Sequence, residues 1–453
     1  MDKIYNYFIE RFQNALASHS SGQRRVGAEL KFPLVNRDGT AASLDTVYAL
    51  WDYLISRGWQ LIKDTMTGKT IGAMKPGQQN NTVAGYETGF CKIEFALAHV
   101  ANLFDMENQI AELRSELKPF CEQNNAYFLC YGIQPVTPPS KRLMIKKSRT
   151  NPWIKVFGSN RHIPKLDGDD VHLFTINAAS HVHISVPLEE AIDAVNVLNG
   201  FAGAQIALTA NSNIWRGRIN PQYKCIAEMF WDWWLPRSHR VGVPPKPFRD
   251  IEDYVRTVAN FKPVYVMRNG KPIILKKYKT FDKYYRVGRA VGLDTEGQEI
   301  SFVPEKADID LHNSCYWYNA RISRHYTVEN RVNDQQPPDD LICTSALTLG
   351  LVSALAEAKK QISAYDWQTL RRSREVACQN GLLGECDRIR LNKLALQMLF
   401  IARLGLLQRG LGEEIFLEPL ENRLCEFSCP ADQAIQFFQN GGIQTLISKW
   451  KLD

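Results

Sequence analysis

The chain has 453 residues, 45% of them hydrophobic and 23% charged, and a net charge of +7. That length accommodates one large or two ordinary domains, and the composition is that of a soluble globular protein, not a disordered or fibrous one. Basic residues cluster only mildly, at 141–147 and 271–279, which excludes a dense nucleic-acid-binding arm but suits a small anion such as ATP. Asp2, Lys3, Glu10 and Arg11 interrupt the start of the chain as a signal peptide would not be interrupted. The apolar run 399–407 is broken by Arg403, so no membrane span is expected. Ten cysteines are scattered without a disulfide framework, and Cys425 and Cys429 lack a second metal-ligand pair. They read as reduced thiols in a cytoplasmic protein.

In chain order, Ile4, Phe8, Phe12 and Leu16 recur at helical spacing and the stretch 18–22 ends that helix. Residues 25–35 alternate as a strand, with Glu29 and Lys31 on one face and Leu30 and Phe32 on the other. A helix over 43–57 takes Ser43 as its N-cap. Strands 59–63 and 70–74 turn at Gly68. Glu87 then precedes a strand entered through Gly89, in which Lys92, Glu94 and Ala96 alternate with Ile93 and Phe95. A helix covers 105–123, with Pro119 expected to kink or shorten it. Residues 126–135 read as a strand ending at Pro135, and 141–164 as a polar loop or hairpin over a cleft.

In the strand 179–186, His181, His183 and Ser185 share one face; two histidines at that spacing raise the prospect of ligation. Residues 188–210 read as one helix, ending at the turn Thr209-Ala210-Asn211-Ser212-Asn213. A helix over 250–261 precedes a hairpin over 263–272 with Asn269-Gly270 as its turn. A helix starts at 280–285, and 292–304 reads as an inserted turn region. In 326–334, Tyr326, Val328 and Asn330 alternate with Thr327, Glu329 and Arg331, which predicts a strand with Glu329 and Arg331 side by side. That pair suits phosphoryl chemistry: the carboxylate can hold Mg2+, and the guanidinium can spread charge over phosphate oxygens. Arg321 and Arg324 add charge beside it. The stretches 344–364, 367–378, 391–409 and 431–449 are helical. The chain therefore divides into a core over 1–340 and a helical region over 341–453 packed on it.

Several of these segments resemble, in the same order, motifs of the plant-type glutamate–cysteine ligases and related carboxylate–amine ligases. Glu29 in Gly27-Ala28-Glu29 resembles the first acid of Gly-x-Glu-x-Glu, and Lys31 stands at the second. Glu87 and Glu94 resemble an acid, a glycine turn and a second acid. Gly132-Ile133-Gln134-Pro135, His183, Ala210-Asn211-Ser212 with Asn213 in place of a proline, the aromatic hairpin with Arg268, and Glu329-x-Arg331-x-x-Asp334 complete the series. The resemblance runs from about 26 to 334. It implies an α+β fold: a curved, mainly antiparallel sheet, the glutamine-synthetase-like half-barrel, with helices on the convex face and ATP and Mg2+ on the concave face.

The resemblance further implies amide formation through an acyl phosphate. Glu29, Glu87, Glu94, His183 and Glu329 would hold metal. Lys31, His183, Arg268 and Arg331 would contact the nucleotide, and Arg331 with Glu329 would act in catalysis. The partners implied are a small-molecule carboxylate and an amine, with neither nucleic acid nor membrane. Two departures bear on this. Lys31 replaces an acid, which changes the number of metal sites or puts an ammonium on a phosphate. The family's substrate arginine is missing from 225–231, where Glu228 would repel a free carboxylate and could bind an ammonium or guanidinium of the substrate; Arg216, Arg218 or Arg268 would have to substitute, so the pair joined need not be glutamate and cysteine. A non-catalytic nucleotide-binding relative and an unrelated kinase or nucleotidyl transferase are the other classes open to the sequence.

Overall fold

The computed structural model describes residues 1–17, 24–77, 80–148, 150–236 and 238–452. The helix-ending stretch expected at 18–22 lies outside the described residues. The central element is a nine-stranded sheet built from β1 (Val26–Asn36), β2 (Gln60–Lys63), β3 (Thr70–Lys75), β4 (Thr82–Tyr86), β5 (Lys92–Ala96), β6 (Ala126–Phe128), β7 (Ala179–Ile184), β8 (Ala320–Ile322) and β9 (Val328–Asp334). The order is β8-β9-β7-β1-β5-β4-β3-β2, with β6 beside the end of β1. Every pairing is antiparallel, and the sheet runs from one edge to the other without closing on itself.

Register separates the two faces. Lys31 lies opposite Glu94, Glu29 opposite His181, Gly27 opposite His183, His183 opposite Glu329, and Glu329 opposite Arg321. Directly opposed residues share a face, so these ionisable side chains all project to one side. The intervening Leu30, Phe32, Ile93, Phe95, Val182, Ile184 and Val328 project to the other and are fully buried. Helices Leu188–Gly200, Ala202–Thr209 and Cys343–Ser353 pack against the strands. Burial of each large side chain there contributes about 1.5–3 kcal/mol relative to exposure. A one-residue slip of β1 would drive Glu29 and Lys31 into that core.

Tertiary contacts reshape several expected elements. The stretch 188–210 is two helices bent by 53° at Phe201. Gly203 lies against Ser373 so closely that a Cβ would meet its Oγ at 2.3 Å, so the second helix is steered onto Trp367–Asn380. Pro119 neither cuts nor ends its helix, which runs over Leu103–Asn124 and stops where Asn125 turns left-handed at φ 49°. The strand expected over 126–135 shortens to β6. Beyond it, the N–H groups of Cys130, Gly132 and Gln134 donate to Trp450, Asn211 and Ile176, which belong to no neighbouring strand of the sheet. Within 141–164 lies a helix, Thr150–Phe157. Residues 292–304 contribute to a hairpin, Ala290–Leu293 with Glu299–Phe302, that extends the Asn269-Gly270 hairpin into a four-stranded sheet.

Tyr326 does not begin the late strand. It sits in the turn before β9 at φ 59°, its ring against Phe8 and Phe12 and its hydroxyl donating to Asp310 at 2.6 Å. The stretch 344–364 divides at Ala354, and the last helix, Pro430–Trp450, contains non-helical Gly441 and Gly442. No single described helix is long and apolar enough to cross a membrane.

Gly89 holds the turn that carries Glu87 toward β5. A Cβ there would meet the carbonyl oxygen of Thr175 at 2.0 Å, a backbone atom that cannot swing aside. Gly89→Ala is expected to cost about 1–3 kcal/mol, the usual range for overpacking, read as a lower denaturation midpoint in urea.

Candidate active site

The polar face of the sheet floors an open cleft of about 1310 Å³ including its mouth. Glu29, Lys31, Glu87, Glu94, His181, His183, Glu329 and Arg331 all line it. Its floor has two linked clusters that share Glu29.

The first surrounds Lys31. The ammonium lies 3.1 Å from Glu29 and 3.0 Å from Glu87, and it also contacts Glu94. Two of its three donors go to Glu87 and Glu94, and Glu29 is ion-paired with it. Lys31 is 6% exposed. Burial disfavours its charge, but Glu87, Glu94 and Glu29 raise its pKa well above the ordinary lysine value. Burial and the neighbouring Glu29 push the Glu94 carboxyl up to about 8 even with Lys31 beside it. Lys92 is pulled down to about 8 by burial, against the pull of Glu87, and donates to Phe174 and Asn177.

The second cluster joins Glu29 to Glu329 through histidines. His181 Nδ1 is 3.0 Å from Glu29 Oε2, and His183 Nε2 is 3.2 Å from Glu29 Oε1. His183 Nδ1 is held by the Thr327 hydroxyl at 2.8 Å, which fixes the ring. Glu329 is paired with Arg321 at 2.9 Å and with Arg331. Burial would raise both carboxyls, yet Lys31 and the histidines hold Glu29 low, and Arg321 and Arg331 hold Glu329 low. Burial, with Lys31 and Arg331 nearby, lowers His181 to about 3, so it is a neutral imidazole at neutral pH.

Glu29, His183 and Glu329 each offer a ligand atom, all within 4.8 Å of one another. Two carboxylates and an imidazole fit a divalent ion such as Mg2+ or Mn2+, because each carboxylate oxygen has a second lone pair to give. The lining also makes an accompanying cation useful. Six acidic side chains face six Lys and Arg side chains, so a polyphosphate entering alone would find part of the positive charge already paired.

The structure brings Glu29, Lys31, Glu87, Glu94, His183, Glu329 and Arg331 together, but it does not bring the substitute arginines. Arg216 and Arg218 are exposed in a two-residue hairpin, Arg216 lying over the Trp215 ring, and neither lines the cleft. Arg268 is spent on Asp308, with two bonds of 2.7 Å, and also lies outside the lining. Glu228 does line the cleft, but its charge is already met: Arg374 donates to it at 2.7 Å and Asn319 at 2.5 Å. The expected repulsion of a substrate carboxylate is therefore muted by an arginine from the C-terminal helices.

Sequence reasoning missed one wall of the cleft, formed by Trp153, Phe174, Trp231, Trp234 and Trp317. Trp231 and Trp317 stack at 5.7 Å, and Phe174 sits 4.3 Å from Trp231. The helix Ile226–Trp234 carried a signal, with Trp231 and Trp234 three residues apart on one side. Lys92 was also readable, since it shares the alternation of Glu94.

Asp334 ends β9 as a structural anchor. Its Oδ2 accepts from the Asn211 N–H at 2.7 Å and the Ser212 hydroxyl at 2.8 Å, tying the Ala210-Asn211-Ser212 turn to the sheet. Gly132 leaves it room, since a Cβ there would stand 2.6 Å from the carboxyl carbon. Burial lifts the Asp334 carboxyl from 3.8 to about 7 despite those donors. A raised folded-state pKa means that the folded protein holds a proton the unfolded chain releases. The associated stability is complete below about pH 4 and is lost as pH rises through about 7, with a slope of at most about 1.4 kcal/mol per pH unit. Asp334→Asn should remove that component, seen as a flatter difference curve of unfolding free energy against pH.

The sequence profile described as Glutamate-cysteine ligase family 2 (GCS2) matches residues 25–449. The provisionally named glutamate–cysteine ligase 2-3 of Rubrobacter xylanophilus is 28% identical over 178 residues, 39% of this chain and 44% of that protein. The provisionally named glutamate–cysteine ligase 2-1 of Nocardia farcinica is 26% identical over 215 residues, 47% of this chain and 49% of that protein. The chain thus spans about half the length, or less, of the curated relatives it matches. Among solved structures, glutamate–cysteine ligase from Francisella tularensis in complex with AMP aligns with a TM-score of 0.55 at 10% identity, over 94% of this chain and 87% of that one. A bifunctional glutathione synthetase from Pasteurella multocida aligns with a TM-score of 0.52 at 10% identity, over 96% and 51%. At such identity these two likenesses are of fold. The profile match covers nearly the whole chain, and this protein belongs to glutamate–cysteine ligase family 2.

Proposed function

We propose that the protein is an ATP- and Mg2+-dependent carboxylate–amine ligase that forms an amide of the γ-glutamyl type through an acyl phosphate. The observation that carries this reading is the convergence of Glu29, His183 and Glu329 within 4.8 Å, with Arg331 bound to Glu329. Mg2+ held there would neutralise the β- and γ-phosphate oxygens. The substrate carboxylate oxygen attacks the γ-phosphorus, the bond to the β,γ-bridging oxygen breaks, and ADP leaves. The amine nitrogen then attacks the acyl carbon, inorganic phosphate departs and the nitrogen loses its proton. Arg331 is placed to offset charge on the transferring phosphoryl group, which is where electrostatics contributes most. The aromatic wall offers a stacking surface to a planar group.

The same reading takes the sheet as curved, its concave side to the nucleotide, with 1–340 as the catalytic core and 341–453 as a helical region packed on it. Among the described residues no two cysteines form a disulfide, and nine of the ten are buried, which accords with a reducing, cytoplasmic setting. Family membership points to glutamate and cysteine as the joined pair. The absence of an arginine at 225–231 favours a different carboxylate and amine, amino acids or a peptide among them, while the neutralised Glu228 leaves a free carboxylate admissible. A non-catalytic nucleotide-binding role is the second reading, favoured by the engagement of Lys31 with three acids.

The test is ADP release in Mg2+ across a matrix of amino acids and amines. A ligase releases ADP only when both carboxylate and amine are present; a kinase needs no amine, and a binding protein releases none. Glu329→Gln should lower the rate about 10²–10³-fold, the loss expected when electrostatic support of the transferring group is removed, while circular dichroism stays unchanged. Undiminished turnover in that variant would exclude Glu329 from the site.

A further inference from the structure

One charge in the cleft has no part in the reaction just described: the ammonium of Lys31. Sheet register puts Glu94 directly across from it, and Glu29 two residues before it on the same face. Glu87, just past the end of β4, closes the third side. Oxygens from three carboxylates on three separate segments thus converge on one buried point, with the Nζ at their centre. Oxygens gathered in this way are how a protein holds a hard divalent cation. An ammonium is a compact point charge that can occupy the same place.

We propose that Lys31 is a tethered cation filling a divalent-metal site formed by Glu29, Glu87 and Glu94. The cleft therefore takes one ion fewer than its acids could hold, and among the described residues the set left open is Glu29, His183 and Glu329. A metal and Lys31 cannot share the trio, because the Nζ occupies the point on which the three carboxylates converge. The chain gains a fixed positive charge that no chelator removes, and gives up one that could be exchanged. Removing the ammonium leaves three partly buried acids whose mutual repulsion a proton or another cation must offset. The proposal rests on the reading of this face as a metal-binding cleft, but its test uses neither nucleotide nor turnover, so failure of the ligase assay would leave it standing.

The experiment counts Mn2+ bound to the full chain, without nucleotide, by the electron paramagnetic resonance signal of free Mn2+. Lys31→Met should bind one more Mn2+ per chain than the wild type, and Mn2+ should raise its melting temperature more than it raises that of the wild type. Lys31→Arg, which keeps the charge, should keep the wild-type count. If Lys31→Met folds only when Mn2+ is present, and not in KCl of matched ionic strength, the conclusion is the same. Equal counts in wild type and folded Lys31→Met overturn the proposal, as does an unfolded Lys31→Met that Mn2+ does not restore.

Discussion

Strand β1 is paired along both edges, and the two registers together dictate where the chemistry lies. Pairing with β7 sets Glu29 beside His181 and Gly27 beside His183; pairing with β5 sets Lys31 beside Glu94. The opposite face of the same strand carries Leu30 and Phe32, both fully buried. The side-chain period of a strand is two, so the hydrophobic face locks the polar one. Core packing that stabilises the fold thereby also holds the ionisable groups in register, and neither can shift without the other.

Burying so many charges is not a source of stability. Ion pairs withdrawn from water lose about as much in desolvation as they regain from each other. The arrangement gives preorganisation instead. Glu29 accepts from two histidines and meets Lys31, Glu329 is held between two guanidiniums, and Thr327 fixes the His183 ring. Groups held this way need not reorganise when a charged ligand arrives, which is where enzymes gain most from electrostatics. The cleft is also asymmetric, with most of its ionisable residues on the sheet side and tryptophans on the other.

The C-terminal helices do more than cover the sheet. Arg374 reaches back to neutralise Glu228 and Asp232, Arg423 bonds Gln336 and Asp340 just after β9, and Ala431 donates to Ala210 beside the turn that Asp334 anchors. Each contact lands on a segment that borders the cleft. The helical region thus contributes to the electrostatics and position of the site without lining it.

Alternation and composition by themselves determined the strand faces of β1, β5, β7 and β9, the helix starts at Ser43, Asp250 and Thr280, and the Asn269-Gly270 turn. The motif resemblance marked Glu29, Lys31, Glu87, Glu94, His183, Glu329 and Arg331, which the structure gathers in one cleft. These are local signals, set by the period of the backbone and by short-range capping and turn chemistry. What lay beyond them depended on partners distant in sequence. That Lys31 would meet three acids at once follows from β1 pairing with β5 while Glu87 folds over from β4. That Glu228 would be neutralised follows from a helix 146 residues later. Arg268 was read as a ligand for substrate, but Asp308 claimed it. The aromatic wall was hidden because Trp153, Trp231 and Trp317 come from separate segments, and only the tertiary structure decides which side chains from distant segments share a surface.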